Sequence, residues 1–269
     1  MQTVLINFFF YLILFLIGAS LGSFSLVVVA RRIKEENWIS GRSRCDACGH
    51  TLTWQELIPV FSFIFLRGKC KHCGKKIGLE NLATEIIFGS FTLLLWKVYA
   101  GNPLQYALTV FFFMFSAMAV LEDLKIQEIS DAYVLPGFIL GLIATLVGTK
   151  DFYFKTFLKQ LVFNILAWPG LLTFLILATQ LIIHKAGMGW GDVTLALMFT
   201  GILNFRQVVF AIFLAFLLGA LVAVFLQVKF KKARDSAFAF GPFIALAAYI
   251  SLGYGTQIVT WWLKVSLLT

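Results

Sequence analysis

The chain has 269 residues, of which 60% are hydrophobic and only 13% are charged. Soluble globular domains contain roughly 45–50% apolar and about 25% charged residues, so this composition excludes an ordinary soluble enzyme and predicts an all-α polytopic membrane protein. The net charge of +9 would suit a nucleic-acid-binding protein. The positions of the basic residues favour membrane topology instead, and we expect no nucleic-acid partner.

Apolar stretches recur along the whole chain. A membrane-spanning helix needs about 20 mainly apolar residues, and eight stretches approach this length: 4–30, 83–100, 104–121, 133–147, 157–183, 191–203, 208–228 and 238–263. Because 191–203 is short, seven spans plus a re-entrant segment is the alternative to about eight transmembrane helices. The first stretch has no basic leader and no small-residue cleavage site, which indicates a retained helix and not a signal peptide.

A polar and basic segment, 31–80, follows the first span and contains all four cysteines as two C-x-x-C pairs, Cys45 with Cys48 and Cys70 with Cys73. The separation of the pairs is typical of a four-cysteine zinc site, and four thiolates suit tetrahedral Zn²⁺. Two disulfides or a redox C-x-x-C are the alternatives, and a reducing cytoplasm disfavours disulfides. A closed four-ligand site has no open position, so we expect the zinc to be structural.

The basic residues orient this arrangement. Cytoplasmic loops of membrane proteins carry an excess of Lys and Arg. If the cysteine segment is cytoplasmic, only six of the 22 Lys and Arg residues fall on the outer side, namely Lys97, Lys150, Lys155, Lys159, Arg206 and Lys264. This asymmetry predicts eight spans with both termini outside, and it attributes the net charge to contacts with anionic lipid.

In this topology two acids meet the cytoplasmic membrane boundary. Asp123 ends the third span, and Asp192 begins the sixth within the stretch Gly187-Met188-Gly189-Trp190-Gly191-Asp192. An acid at this depth is costly and is therefore a functional candidate. Two neighbouring carboxylates are what an aspartyl protease needs, one ionised as a base on water and the other protonated against the scissile carbonyl. Glycines beside Asp192 would allow a peptide to approach closely.

The acids also have plain structural interpretations. Asp192 lies where a helix N-cap is expected, and Asp131 after Ser130 is expected to cap the fourth span. Glu122 is adjacent to Asp123 but points about 100° away around a helix, so only one of them can face a given partner. The pattern of residues alone does not separate Glu122 from Asp123.

Taken together, these features resemble the type IV prepilin peptidase family (leader peptidase/N-methyltransferase). The resemblance covers nearly the whole chain. Its motifs, in order, are Leu21-Gly22-Ser23-Phe24, Arg31, the two cysteine pairs with Ile58-Pro59-Val60 and Leu66-Arg67-Gly68 between them, Glu85, Asp123, Asp131, Gly189-Trp190-Gly191-Asp192 and Phe240-Gly241-Pro242-Phe243. The chain departs from the family pattern at Leu26, at Thr194 and after Arg32, where the family usually has a proline.

This resemblance implies a GxGD-type intramembrane aspartyl protease of the bacterial cytoplasmic membrane. It assigns catalysis to Asp123 and Asp192, with Gly189 and Gly191 as supporting motif residues. The implied substrates are type IV prepilins or pseudopilins, cleaved after a Gly at the cytoplasmic face. The resemblance also implies N-methylation of the new N-terminus by S-adenosylmethionine, whose binding residues stay unknown. The expected domains are a first helix (1–30), a zinc-binding module (31–80) and a membrane peptidase domain (81–269).

Two other classes of function compete with this interpretation. A proton-coupled transporter could use the same acids, but it would need polar or broken helices at the membrane midplane, whereas the acids are predicted at one face. Trp168-Pro169-Gly170 interrupts the fifth span, which indicates a kink. A zinc-ribbon membrane adaptor without chemistry is the third possibility, and the pairing of the two acids counts against it.

Overall fold

The computed structural model describes residues 2–37, 41–149, 153–184, 188–230 and 239–266. Gly187 and the basic residues Lys150, Lys185, Lys231, Lys232 and Arg234 lie outside these ranges. Within them the chain is helical, with two isolated β-bridges and no strand, which confirms the all-α prediction. The helices are α1 (Gln2–Ile33), α2 (Phe61–Phe65), α3 (Leu79–Tyr99), α4 (Pro103–Ile126), α5 (Asp131–Gly148), α6 (Phe154–Ile165), α7 (Leu171–Ile183), α8 (Trp190–Thr200), α9 (Phe205–Phe230) and α10 (Gly241–Ser266).

The chain forms two compact units, residues 1–110 and residues 111–269. Seven helical segments among the described residues are long and apolar enough to cross a membrane: Val4–Ile33, Leu79–Tyr99, Pro103–Ile126, Asp131–Gly148, Phe154–Ile182, Phe205–Lys229 and Gly241–Ser266. The eighth predicted span is helix α8, which has 11 residues. At 1.5 Å per residue it is about 16 Å long, or half of a hydrocarbon core of about 30 Å.

Helix α8 nevertheless runs beside α10 for most of a bilayer. Near its start, the Leu195 side chain lies 3.3 Å from where a Cβ on Gly241 would be. Beyond its end, the Asn204 side-chain amide donates to the Thr256 hydroxyl at 3.1 Å. Thr256 is about 22 Å farther along α10 than Gly241. The short helix and the four residues after it therefore extend over about 22 Å of α10, roughly three quarters of a hydrocarbon core of about 30 Å.

In the first unit, small residues let α1 and α3 approach closely. Gly18 and Gly22 lie four residues apart on α1, the spacing that brings membrane helices into contact. A Cβ on Gly22 would lie 2.9 Å from the Thr84 carbonyl oxygen, so no larger side chain fits. Across the same interface, the Thr92 hydroxyl donates to the Leu14 carbonyl at 3.3 Å.

The predicted interruption of the fifth span is a π-helical turn, Leu166–Gly170, between α6 and α7. Pro169 has no N–H to donate, and its ring clashes with the preceding turn of an α-helix. One wider turn accommodates the proline, and the helical span continues from Phe154 to Ile182. Trp168 is fully buried at this turn, so the turn is packed against its neighbours and does not end the span.

Candidate functional site

The four cysteines form one cluster. Their Sγ atoms all lie within 4.8 Å of one another, and the Cys45 and Cys73 sulfurs are 3.9 Å apart. In a tetrahedral site with Zn–S bonds of about 2.3 Å, the sulfurs are roughly 3.8 Å apart. The cluster therefore fits a divalent metal held by four thiolates.

The two C-x-x-C pairs are built alike. The N–H of Gly49 donates to the Cys45 carbonyl at 2.9 Å, and the N–H of Gly74 donates to the Cys70 carbonyl at 2.9 Å. Both glycines have a φ of +70°, a conformation that glycine adopts without a steric penalty. Each pair is therefore closed by the same tight turn, for which the glycine after the second cysteine is required.

The backbone around the cluster prepares one thiol for ionisation. The N–H groups of Ala47 and Cys48 lower the pKa of Cys45 to about 6. The N–H of His50 lowers the pKa of Cys48, but desolvation and the neighbouring Cys73 and Cys45 outweigh it and raise that pKa to about 11. The neighbouring thiols therefore oppose the ionisation of Cys48. A divalent cation removes that conflict because it neutralises the thiolates.

The polar segment is fastened to the helices of its own unit. The Arg31 guanidinium donates to the Arg42 carbonyl at 3.1 Å. The Glu85 carboxylate, buried on α3, accepts from the N–H of Val60 at 2.7 Å. Val60 has a φ of +64°, which is unfavourable for a β-branched residue. The bond from Glu85 therefore holds a strained turn in place.

Asp123 and Asp192 are both buried in the second unit, at 5% and 7% exposure. Asp123 lies in the last turn of α4, and its Oδ2 accepts from the N–H of Gly241 at 2.9 Å. Asp192 lies in the first turn of α8, and its Oδ2 accepts from the N–H of Gly189 at 3.2 Å. Leu195, one turn after Asp192 on α8, lies 3.3 Å from where a Cβ on Gly241 would be, so the start of α8 lies beside the residue that Asp123 contacts. These two residues are called the acid pair below.

Gly241 belongs to the acid pair's surroundings in a way that the sequence did not reveal. A Cβ at this position would lie 2.6 Å from Asp123 Oδ2, so only glycine brings its N–H within bonding distance. The motif Phe240-Gly241-Pro242-Phe243 was visible, but its partner is more than a hundred residues away. No local pattern connects the two.

Glu122 and Asp123 are adjacent in sequence and serve different partners. Glu122 is 3% exposed, and its Oε2 accepts from the N–H of Ser130 at 2.8 Å. The Ser130 hydroxyl in turn accepts from the N–H of Ala132 at 3.2 Å, so Ser130 is the N-cap of α5. The predicted cap, Asp131, is instead the exposed first residue of that helix. Glu122 thus holds the turn between α4 and α5.

That turn presses against the glycine motif. A Cβ on Gly191 would lie 3.0 Å from the Cβ of Ile129 and 3.2 Å from its Cγ1. The missing side chain at Gly191 therefore makes room for Ile129. Through Ile129, the turn held by Glu122 supports the backbone next to Asp192.

The fold and site define a multi-pass helical membrane protein with two buried carboxylates at neighbouring helix ends and a four-thiol cluster. Comparison with known proteins is consistent with that class. The family model for the bacterial peptidase A24 N-terminal domain matches residues 16–99, and the model for the type IV leader peptidase family matches residues 110–224. The chain belongs to the type IV leader peptidase family.

Characterised relatives cover almost the whole chain. A prepilin leader peptidase/N-methyltransferase of Pseudomonas aeruginosa is 30% identical, over 95% of this chain and 94% of the relative. The protein of the same name from Bacillus subtilis is 29% identical, over 95% of this chain and 98% of the relative. No solved structure gives a significant match. The predicted family is thereby confirmed, and the transporter interpretation gains no support.

Proposed function

We propose that this protein is a membrane aspartic peptidase that removes the leader peptide from type IV prepilins or pilin-like proteins and N-methylates the new N-terminus. The observation that carries the proposal is the acid pair, two buried carboxylates whose helices both lie against Gly241. The relatives named above support the substrate class and the second activity. An adaptor without chemistry would have no need to hold two costly buried acids together.

The chemistry follows from the anchoring of each acid. One oxygen of each carboxylate accepts a backbone N–H, from Gly241 or from Gly189, which fixes the orientation of the carboxyl group. The ionised member takes a proton from a water molecule, whose oxygen attacks the carbonyl carbon of the leader's last residue, a Gly. The protonated member gives its proton to the carbonyl oxygen. The C–N bond then breaks, and the departing amine takes a proton from the pair. The single proton is shared by the pair and does not belong to one acid.

Zinc and S-adenosylmethionine would have different roles, the first structural and the second as methyl donor. Cys45, Cys48, Cys70 and Cys73 would hold a structural zinc that folds the segment 31–80 as a module between the first helix (1–30) and the peptidase domain (81–269). S-adenosylmethionine would supply the methyl group. The described residues contain no strand followed by a glycine-rich turn, so no part of the chain is assigned to that donor.

The charge distribution supports a place for the acid pair at the cytoplasmic face of a bacterial inner membrane, as the positive-inside rule expects. Acids cluster near the pair, at Glu122, Asp123, Glu128, Asp131 and Asp192. A negative mouth would attract a basic leader by long-range electrostatics, so cleavage should slow as salt rises.

The test is cleavage of a co-expressed prepilin, read by mass spectrometry of its mature N-terminus. We expect Asp123→Asn and Asp192→Asn each to abolish processing, since loss of one acid–base group costs about 10²–10⁴-fold in rate. Asp131→Asn is the matched control: it removes one exposed charge from the same region and no group of the acid pair, so the prepilin should still be processed to completion. Full processing by either variant of the pair would refute the assignment. The same spectrum reports methylation as the mass of one added methyl group.

A further inference from the structure

A cavity of about 570 Å³ opens in the second unit, away from the acid pair. Most of the length of α6, the start of α9 and the middle of α10 form its walls. Its lining combines two cations, several uncharged polar side chains and two aromatic rings: Thr156, Lys159, Gln160, Phe163, Asn204, Phe205, Arg206 and Thr256. Nothing in the proposed peptidase chemistry uses this cavity.

The cavity lies about one bilayer thickness from the acid pair. Arg206 donates to the Thr260 hydroxyl at 3.2 Å, and Thr260 is about 28 Å along α10 from Gly241, which contacts Asp123. That distance matches a hydrocarbon core of about 30 Å. Trp261 and Trp262 are exposed at the same level of α10. Exposed tryptophans collect where helices leave the hydrocarbon, so the cavity sits at the membrane interface opposite the acid pair.

The two cations of the cavity lack a carboxylate counterpart among the described residues of this unit. The acids described there all belong to the opposite end: Glu122, Asp123, Glu128, Asp131 and Asp192. Arg206 uses one nitrogen on Thr260, and the Lys159 ammonium lies 5.8 Å from the centroid of the Phe163 ring. The guanidinium and the ammonium therefore present net positive charge to whatever enters.

The apolar wall of the cavity identifies the kind of molecule that fits. Phe163 and Phe205 are 48% and 46% exposed, and their ring centroids are 6.3 Å apart. Beside them, Asn204 and Thr256 offer uncharged hydrogen-bonding groups near the cations. A ligand with an anionic, oxygen-rich head and a hydrocarbon continuation satisfies both halves of the lining. A free inorganic anion would leave the aromatic wall uncovered.

We propose that this cavity binds the headgroup of an anionic phospholipid from the leaflet opposite the acid pair. Lys159 and Arg206 hold the phosphodiester, the polar side chains contact the glycerol, and the two phenylalanines cover the first methylenes of an acyl chain. The bound lipid adds contacts to α6, α9 and α10 at the end where the bonds from Asn204 to Thr256 and from Arg206 to Thr260 already link the segments. A zwitterionic lipid is disfavoured because its own cation faces two more.

The test is thermal unfolding of the purified protein in a neutral detergent, titrated with dioctanoyl-phosphatidylglycerol. A ligand that binds only the folded state raises Tm saturably. We expect that rise for the wild type, with little effect from dioctanoyl-phosphatidylcholine or from inorganic phosphate at matched ionic strength. In Lys159→Gln/Arg206→Gln the half-saturating lipid concentration should increase roughly tenfold or more.

Lys155→Gln is the matched control, because Lys155 lies one turn earlier on α6, is exposed and does not line the cavity. If Lys155→Gln lost its Tm response to the lipid to the same extent, the response would come from diffuse surface charge, and the proposed site would be refuted. An equal rise in Tm with phosphatidylcholine would also overturn the proposal, because the site would not select for charge. An equal rise with inorganic phosphate would overturn it as well, because the site would then bind a free anion. If the double variant is poorly folded, Lys159→Gln alone gives the same readout, since among the described residues its ammonium lies over the half-exposed ring of Phe163.

Discussion

At the scale of single residues, Glu122 holds the turn between α4 and α5, which supports the backbone next to Asp192. Its carboxylate accepts from the N–H of Ser130, so Glu122→Ala leaves a donor without its partner at a cost of about 1–3 kcal/mol. We expect Glu122→Ala to lower Tm and reduce kcat, whereas Glu122→Gln, which keeps an acceptor oxygen, should retain measurable cleavage. A catalytic acid would behave differently, because its amide variant would be as inactive as Asp123→Asn.

The control for this comparison is Glu128→Ala, which removes an exposed acid from the same turn and should change neither quantity. Leader cleavage and thermal unfolding are measured on all three variants. Complete inactivity of Glu122→Gln with an unchanged Tm would show that Glu122 is itself catalytic.

Gly191 gives a second prediction at this scale. Gly191→Ala would place a Cβ 3.0 Å from the Cβ of Ile129 and push the turn or the start of α8 away. We expect a strong loss of cleavage with the protein still inserted. Ile129→Gly in the same chain removes the opposing atoms and should restore part of the activity, which a loss of peptide access at Gly191 would not allow.

Gly253→Ala is the reference substitution for this experiment, because a Cβ at this position of α10 meets nothing within 4 Å. Alanine also favours a helix over glycine by about 1 kcal/mol, so this variant should be at least as stable as the wild type. A double variant no more active than Gly191→Ala would exclude Ile129 as the cause.

The role of a residue was predictable from the sequence where it depends on the free-energy cost of burial or on the spacing of nearby residues. Burying an acid costs free energy wherever it lies, and this cost singled out Asp192. The sequence C-x-x-C-G is enough to predict the tight turn that it forms. The contacts of Gly241 with Asp123 and of Ile129 with Gly191 were not predictable. Each one depends on how separate helices pack, and glycine or isoleucine carries no signature of its partner.

At the scale of elements, the cysteine segment is expected to depend on its metal. Between residues 41 and 78 the only described helices are a 3₁₀ turn, Trp54–Leu57, and the five-residue α2, too little to bury a core. Structural zinc contributes about 10–16 kcal/mol of apparent binding energy in small modules, which is folding energy here. Reductively purified protein should therefore contain about one zinc per chain by elemental analysis.

Cys45→Ser should lose the metal and make this segment sensitive to protease while the helices stay protected. His72→Ala should keep the metal, although the His72 ring stacks on His50 at 4.9 Å beside the cluster. Metal-free wild-type protein with a protease-resistant segment would refute a structural zinc.

Most elements could be read from hydropathy, because a helix that crosses a membrane must be apolar along its whole length. The predicted stretch 133–147 lies within α5, and 83–100 overlaps α3 to within a few residues. The π-helical turn at Pro169 was visible only as an interruption, since hydropathy does not report which carbonyl an N–H reaches. The helix α2 is too short to give a periodic signal.

At the scale of the whole molecule, the number of crossings depends on α8. The short helix starts beside Asp123 and Gly241 and leads to Asn204, which bonds to α10 about 22 Å away. If α8 counts as a crossing, the chain crosses eight times and both ends lie on the same side of the membrane. If α8 is re-entrant, the two ends lie on opposite sides.

Fusions of alkaline phosphatase, which is active only outside the cytoplasm, distinguish these outcomes. We expect high activity for a fusion after Ser266 and low activity for one after Lys229, at the two ends of the last crossing. A fusion after Asn102, between α3 and α4, should also be active because Lys97 is the only basic residue near that loop. An inactive fusion after Ser266 together with an active one after Asn102 would show that α8 does not cross. The cavity and the acid pair would then lie at the same face of the membrane, although about 28 Å of α10 separates them.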